Sequence, residues 1–158
     1  MSAVATRPAP ADEDAVREIL RGVADPEIPA ISIVDLGMVE RIEVGPDRIE
    51  VELLPTFVGC PAQELIRSTV IDALAPLGRP TVVGFSFRVP WTSDRITDIG
   101  RRRLTAAGFA PPADPAAVRC PYCGSSQVVM DSAFGPTQCR SLFYCRGCRQ
   151  PFEGFKVL

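Results

Sequence analysis

The sequence predicts an α/β (α+β) fold, a small three-stranded sheet with helices in the order αββαβα, followed by a separate C-terminal module held together by cysteines. Three observations predict it. Three runs alternate apolar and polar residues, two of them on either side of a turn. Segments with helical apolar spacing precede, separate and follow those runs. Two Cys-x-x-Cys pairs lie within residues 118–158.

A chain of 158 residues, 46% apolar and 23% charged, is long enough for one ordinary core and a small appended module, and too short for a large enzyme. The expected division is a flexible Pro/Ala-rich start over residues 1–11, an α/β domain over 12–108, a linker over 109–117 and a cysteine module over 118–158. The stretch "DEDAVREILRGVADP" sets Ala15, Val16, Ile19, Leu20 and Val23 on one helical face, with acids in the first turn where the helix dipole favours them. Asp25-Pro26 ends that helix. "VERIEV" and "RIEVELL", separated by "GPD", then read as a hairpin with Ile42, Val44, Ile49, Val51 and Leu53 on one buried face. From Pro61 to Leu77, apolar residues recur at helical spacing while Gln63, Glu64, Arg67 and Asp72 point outward. "TVVGFSFRV" follows as a third strand, reached by a helical crossover. A last helix is expected from a Thr92-Ser93 cap to Gly108, and "FAPPADPAAV" reads as the linker.

In the tail, Cys120/Cys123 and Cys145/Cys148 flank two short runs, "QVVMD" and "RSLFY", that can pair as a hairpin. Such a hairpin brings four thiolates to one tetrahedral zinc ion. The chain has no histidine, so an all-cysteine site is expected, and a closed site of this kind staples a module too small to fold by burial alone. Iron is the alternative metal for the same ligands. Cys139 lies six residues before Cys145, on the order of 20 Å away if the intervening chain is extended, and so cannot join that ion. It reads as a small buried hydrophobe or as an additional thiol.

Charge is uneven along the chain. Residues 118–158 carry five basic and two acidic side chains, net +3, against 12 basic and 17 acidic elsewhere. That suggests an interaction surface, although the excess is too weak to argue for nucleic acid. No apolar run reaches the roughly 18 residues of a membrane span, and no signal peptide is recognisable. A cytoplasmic protein with reduced cysteines is therefore expected.

One cysteine stands apart. In "TFVGCPAQEL", Pro61 suits the first helical position, Gly59 the entry turn, and Cys60 the N-cap. A thiol at the positive end of a helix is expected to have a lowered pKa and to favour the thiolate. From position alone Cys60 is either a cap residue or a reagent. Asp25, Glu27 and Asp35 in "DPEIPAISIVDLG" are likewise either turn acids or one wall of a site whose other wall is Cys60.

"DPEIPAISIVDLGMV", "TFVGCP" and "VPWTSDRITDIGRRRL" resemble the three characteristic stretches of the metal-sulfur cluster assembly domain family. With the tail "CPYCGS…SAFGPTQCRSLFYCRGCRQPFEGFKVL", the whole of residues 16–158 resembles the PaaD (PaaJ) family of phenylacetate-degradation proteins. The resemblance implies an accessory protein and not the oxygenase itself. Its implied role is to support the multicomponent phenylacetyl-CoA oxygenase (ring-1,2-epoxidase), by assembling or maturing the cluster of its iron-sulfur reductase component. It marks Asp25, Glu27, Asp35, Thr56, Cys60, Trp91 and Arg95 as the residues that handle the thiol or cluster, and it includes a cysteine at the position of Cys139. A transient iron ion or iron-sulfur cluster would then be the cargo, with zinc in the tail. Where many such domains carry a Thr-Thr pair and Pro-Pro-Trp, this chain has "PTFVGCP" and "VPW". An adaptor or structural subunit without metal transfer, a thiol enzyme lacking the usual histidine base, and a homodimer pairing two Cys60 thiols remain open at this point.

Overall fold

The computed structural model describes residues 11–158. The flexible start expected over residues 1–11 lies, apart from Ala11, outside the described residues. Helix α1 spans Glu13–Leu20, opened by the Asp12 carboxylate accepting the Ala15 amide at 2.8 Å, and it buries Val16 and Leu20. Strands β1 (Val39–Val44) and β2 (Ile49–Leu53) form the expected antiparallel hairpin, with Ile42 opposite Val51 and Val44 opposite Ile49. The next helix, α2 (Gln63–Leu74), packs Ile66, Val70 and Leu74 inward and leads to β3 (Thr81–Phe85). Strand β3 runs parallel to β2, so the sheet order is β1-β2-β3 with α2 as the crossover.

Two boundaries differ from expectation. Strand β3 stops at Phe85, and the apolar alternation beyond it stays exposed at Phe87 and Val89. The expected last helix is broken: Ser93–Arg95 form a single 3-10 turn, Ile96 is extended, and α3 runs over Asp98–Ala106 behind a Thr97 cap. Packing explains the break. Arg95 crosses against Gly37, its Nε donating to the Gly37 carbonyl at 2.9 Å, and Gly37 sits at φ +74° where a Cβ would overlap the Arg95 backbone. The chain then has to turn before α3 can pack Leu104 into the core.

The second sheet has four strands, in the order β4 (Phe109–Ala110), β7 (Pro151–Phe155), β6 (Arg140–Cys145) and β5 (Val128–Ser132). Strands β5 (Val128–Ser132) and β6 (Arg140–Cys145) are the expected hairpin, and β7 (Pro151–Phe155) pairs antiparallel with β6. Strand β4 (Phe109–Ala110) comes from the stretch expected as a linker and pairs parallel with β7. A small core of Ala110, Val118, Cys120, Phe143, Cys145 and Phe152 lies within this module. Its other side joins the main core: Phe155 packs on Trp91 with ring centroids 5.6 Å apart, and Cys139 is buried among the α/β residues. The Leu158 carbonyl accepts the Ser93 amide at 3.1 Å, and Arg101 bridges the carbonyls of Ser93 and Pro112.

Candidate metal centre and thiol site

The ribbon cysteines form the better-defined site. The Sγ atoms of Cys120, Cys123, Cys145 and Cys148 all lie within 4.8 Å of one another, and the Cys120–Cys148 and Cys123–Cys145 pairs are each 3.6 Å apart. A tetrahedron of zinc–sulfur bonds about 2.3 Å long has edges of about 3.8 Å, so four sulfurs at this spacing suit a four-thiolate zinc ion. The Cys148 amide donates to the Cys145 sulfur at 3.5 Å, and this bond is the main reason the Cys145 thiol is held down to about 6. Burial pushes Cys148 the other way, up to about 12. Four sulfurs this close cannot all ionise without a cation among them. All four coordination positions are protein sulfur, so the ion's role here is structural.

A second group of candidate residues surrounds the lone thiol of the α/β domain. Asp25 is buried just after α1, and its Oδ1 accepts the amides of Glu27 and Ile28, each at 2.9 Å. Burial raises its pKa, and those two amides with Arg140 only partly offset the rise. Burial, with the neighbouring Asp25 charge, raises Glu27 as well. Cys60 is 9% exposed and does not cap α2 as expected. Gly59 turns the chain at φ +85°, Pro61 and Ala62 add a further turn, and Ala62 takes the cap position without a side-chain bond. The helix end is therefore displaced from the sulfur. Burial pushes the Cys60 thiol up; the Ala62 amide pulls it down, while Glu27, Asp25 and Cys139 push it further up. The lowered pKa expected for Cys60 is thus reversed, because desolvation and like charge outweigh a displaced dipole.

Cys139, at the opposite end of β6 from the zinc ligand Cys145, reaches this same neighbourhood. Its sulfur lies 3.1 Å from the Thr137 hydroxyl, and its pKa is raised by burial and by Glu27 and Asp25. Beside it, Arg140 pairs with Glu153 at 2.7 Å and lies over the Phe109 ring. The sequence offers Cys139 as a small buried hydrophobe or an additional thiol; the structure buries it in the main core and not in the ribbon's own.

The other marked residues do different work. Asp35, 3% exposed, accepts from Ser32 Oγ, Thr97 Oγ1 and Arg103 at 3.1, 3.1 and 3.0 Å, and its carbonyl takes the Thr97 amide. It ties the Ser32 turn to the start of α3. Trp91 donates its indole N–H to the Leu36 carbonyl at 2.9 Å, while Arg95 joins Gly37 to Glu40. Thr56 is buried in the loop that leads to Cys60.

Comparison with known proteins gives these sites a family. Residues 13–86 match the family model "Iron-sulfur cluster assembly protein", and residues 106–156 match "PaaD zinc beta ribbon domain". An Escherichia coli (strain K12) protein, provisionally named as one of the subunits of 1,2-phenylacetyl-CoA epoxidase, is 35% identical over 95% of this chain and 96% of its own. The chain belongs to the PaaD family. Part of this PaaD-family chain, 48% of it, is also 38% identical to an iron-sulfur cluster carrier protein of Mycobacterium tuberculosis, of which it covers 20%. Among solved structures, a Bacillus anthracis Domain of Unknown Function DUF59 aligns over 58% of this chain and 90% of its own, at 25% identity and TM-score 0.55. A conserved hypothetical protein of Thermotoga maritima aligns over 60% and 94%, at 27% identity and TM-score 0.51.

Proposed function

We propose that this protein is an accessory factor of aerobic phenylacetate catabolism that supports the phenylacetyl-CoA ring-1,2-epoxidase by assembling or delivering an iron-sulfur cluster to its reductase component. The observation that carries this reading is the buried Cys60 thiol in a chain whose residues 13–86 match the assembly-protein model, with burial and the Glu27 and Asp25 charges raising its pKa. Anionic groups held together without a full set of partners are relieved by a metal cation, and a soft thiolate beside hard carboxylates suits iron. The PaaD-family membership and the match to the assembly-protein model support the same direction. In this reading Asp35, Trp91 and Arg95 hold the loops that carry the site, Thr56 lines the approach to Cys60, and iron or cluster is cargo.

The protein acts here as a helper and not as a catalyst. A cysteine nucleophile needs a base and an accessible thiolate; the chain has no histidine, and Cys60 is raised in pKa. No described helix is long and apolar enough to cross a membrane, and we place the function in the cytoplasm. The ribbon of residues 118–158 is the docking module for an oxygenase component. A second reading, an adaptor without metal transfer, draws on one feature of that ribbon: an apolar groove of about 470 Å³ beside the exposed Phe134, Met130 and Val157.

Cys60→Ser tests the proposal. The variant is expected to keep its zinc and fold while yielding a co-expressed reductase poor in iron and sulfide. A fully loaded reductase would overturn cluster handling, and stoichiometric co-purification with the oxygenase would then favour the adaptor.

A further inference from the structure

We propose that a cavity on one face of the ribbon sheet is the seat for an arginine side chain of a partner protein, its guanidinium paired with Asp131 beside Glu153 and stacked on Tyr122 or Tyr144. This rests on the reading of the ribbon as a docking module and deepens it, and it is independent of cluster handling by Cys60.

Strand register builds the cavity. Alternation along β6 puts Leu142 and Tyr144 on the face opposite to Phe143, and pairing sets Glu153 beside Leu142, Phe109 beside Glu153 and Pro151 beside Tyr144. A bulge in β5 places Asp131 and Ser132 together opposite Leu142. Tyr122 reaches in from the first Cys-x-x-Cys turn, and a Cβ on Gly108, just after α3, would meet its ring at 3.0 Å. Only a glycine there allows the approach. The result is a cavity of about 400 Å³ whose lining includes Phe109, Tyr122, Asp131, Leu142, Tyr144 and Glu153. Pockets that take small ligands or single side chains are of this size, on the order of 300–1,000 Å³.

Charge selects the ligand. Residues 118–158 carry five basic and two acidic side chains, and both acids, Asp131 and Glu153, line this one cavity. No basic side chain lines it. Glu153 is paired with Arg140 at 2.7 Å, whereas Asp131 enters no ion pair among the described residues, so one negative charge is left for a cation to meet. The protein itself shows how such a cation sits: the Arg140 guanidinium lies 5.6 Å from the centre of the Phe109 ring while it bonds Glu153. A partner's guanidinium on a tyrosine ring beside Asp131 repeats that arrangement. Arginine suits it better than lysine, because a planar, weakly hydrated head both stacks on rings and pairs with carboxylates.

Exposure points to a protein as the source of that arginine. Tyr122 is 59% exposed and Tyr144 36%, and β5, which carries Asp131, is an edge strand of the sheet. Half-wet tyrosines around a charged pocket are the side chains that interfaces favour. The zinc site bears on the cavity too. Tyr122 stands between Cys120 and Cys123, so an ion that fixes those two ligands also fixes the Tyr122 wall. The staple thereby keeps the docking seat in shape.

The test titrates full-length, zinc-loaded, isotope-labelled protein with a blocked Gly-Arg-Gly peptide, followed by NMR. The control peptide carries citrulline, which keeps the shape of arginine and loses its charge. Saturable shifts are expected at the amides of Tyr122, Asp131, Leu142, Tyr144 and Glu153, and none with the citrulline peptide. Asp131→Asn and Tyr144→Ala should each weaken binding by about threefold or more, with zinc content and Trp91 emission unchanged as controls for folding. No saturable shift, shifts confined to other residues, or equal shifts with citrulline would overturn the arginine seat. The same variants are then compared in affinity for the purified oxygenase, where each is expected to bind about tenfold more weakly than wild type. If both bind it as wild type while Phe134→Ser does not, the seat is overturned and the ribbon docks through its apolar groove. If all three bind it as wild type, or wild type does not bind it, the docking-module reading fails with the seat.

Discussion

Replacing Asp35 by alanine separates the residues that build the site from those that serve it. The Asp35 carboxylate accepts the buried Ser32 hydroxyl, the half-buried Thr97 hydroxyl and the Arg103 guanidinium. Leaving a buried hydroxyl without its acceptor costs about 1–3 kcal/mol. Ser32 is 3% exposed and bears that cost, although its Oγ still accepts the residue-35 amide at 3.0 Å. The Arg103 side chain is 51% exposed, so solvent screens the pair and its loss contributes less than about 1 kcal/mol. Together these give a destabilisation of about 3 kcal/mol. For a chain of this size, 1 kcal/mol lowers Tm by about 2–4 °C, so Asp35→Ala should melt about 6–12 °C below wild type. The assay is thermal unfolding of the zinc-loaded protein followed by circular dichroism, with iron uptake measured well below the transition. Uptake by the folded fraction should match wild type. A variant that melts within about 2 °C of wild type but has lost iron uptake would refute this reasoning and make Asp35 a ligand.

The remaining predictions concern charge, metal and thiol reactivity. Asp25→Asn keeps an oxygen for the Glu27 and Ile28 amides and removes a buried charge. The folded-state pKa of Asp25 is raised, so as pH climbs the unfolded chain ionises first and wild type loses stability until the folded-state pKa is passed. The two proteins should therefore melt together in strong acid, with the variant higher at neutral pH, and a variant lower at neutral pH would contradict the burial effect. Stripping zinc with a chelator should red-shift the emission of Trp91, the single tryptophan of the chain, as Phe155 leaves its ring. Unchanged emission would mean that the ribbon stays docked without its staple. Iodoacetamide should label Cys60 slowly at neutral pH and faster only above the ordinary thiol pKa, because burial raises the thiol; rapid neutral labelling would restore the helix-end effect.

Much of the fold is readable in the sequence because its signals are local. The alternation of Ile42, Val44, Ile49, Val51 and Leu53 fixes which face of the hairpin is buried, and the Ile66, Val70, Leu74 spacing gives the crossover helix. The four zinc ligands are readable for the same reason, since the Cys-x-x-Cys spacing carries its own geometry. What depends on long-range packing is not readable. Strand β4 is two residues long and exists only because β7 lies beside it, and β7 opens on a proline and contains a glycine, residues that ordinarily argue against a strand. Cys60 misled through its neighbours: Pro61 suits a first helical position, but one added turn moved the helix start past the thiol. Cys139 was legible only as an additional thiol, because its place in the main core depends on packing between segments far apart in the chain.

The most direct measurement is metal and acid-labile sulfide per chain in full-length protein purified without oxygen and then offered ferrous iron and sulfide. The cluster-handling function predicts one zinc that survives purification in air, together with iron and sulfide that are lost in air and absent from Cys60→Ser. Zinc alone under strict anaerobic loading would contradict it, and the protein would then be an adaptor whose thiols are only packed.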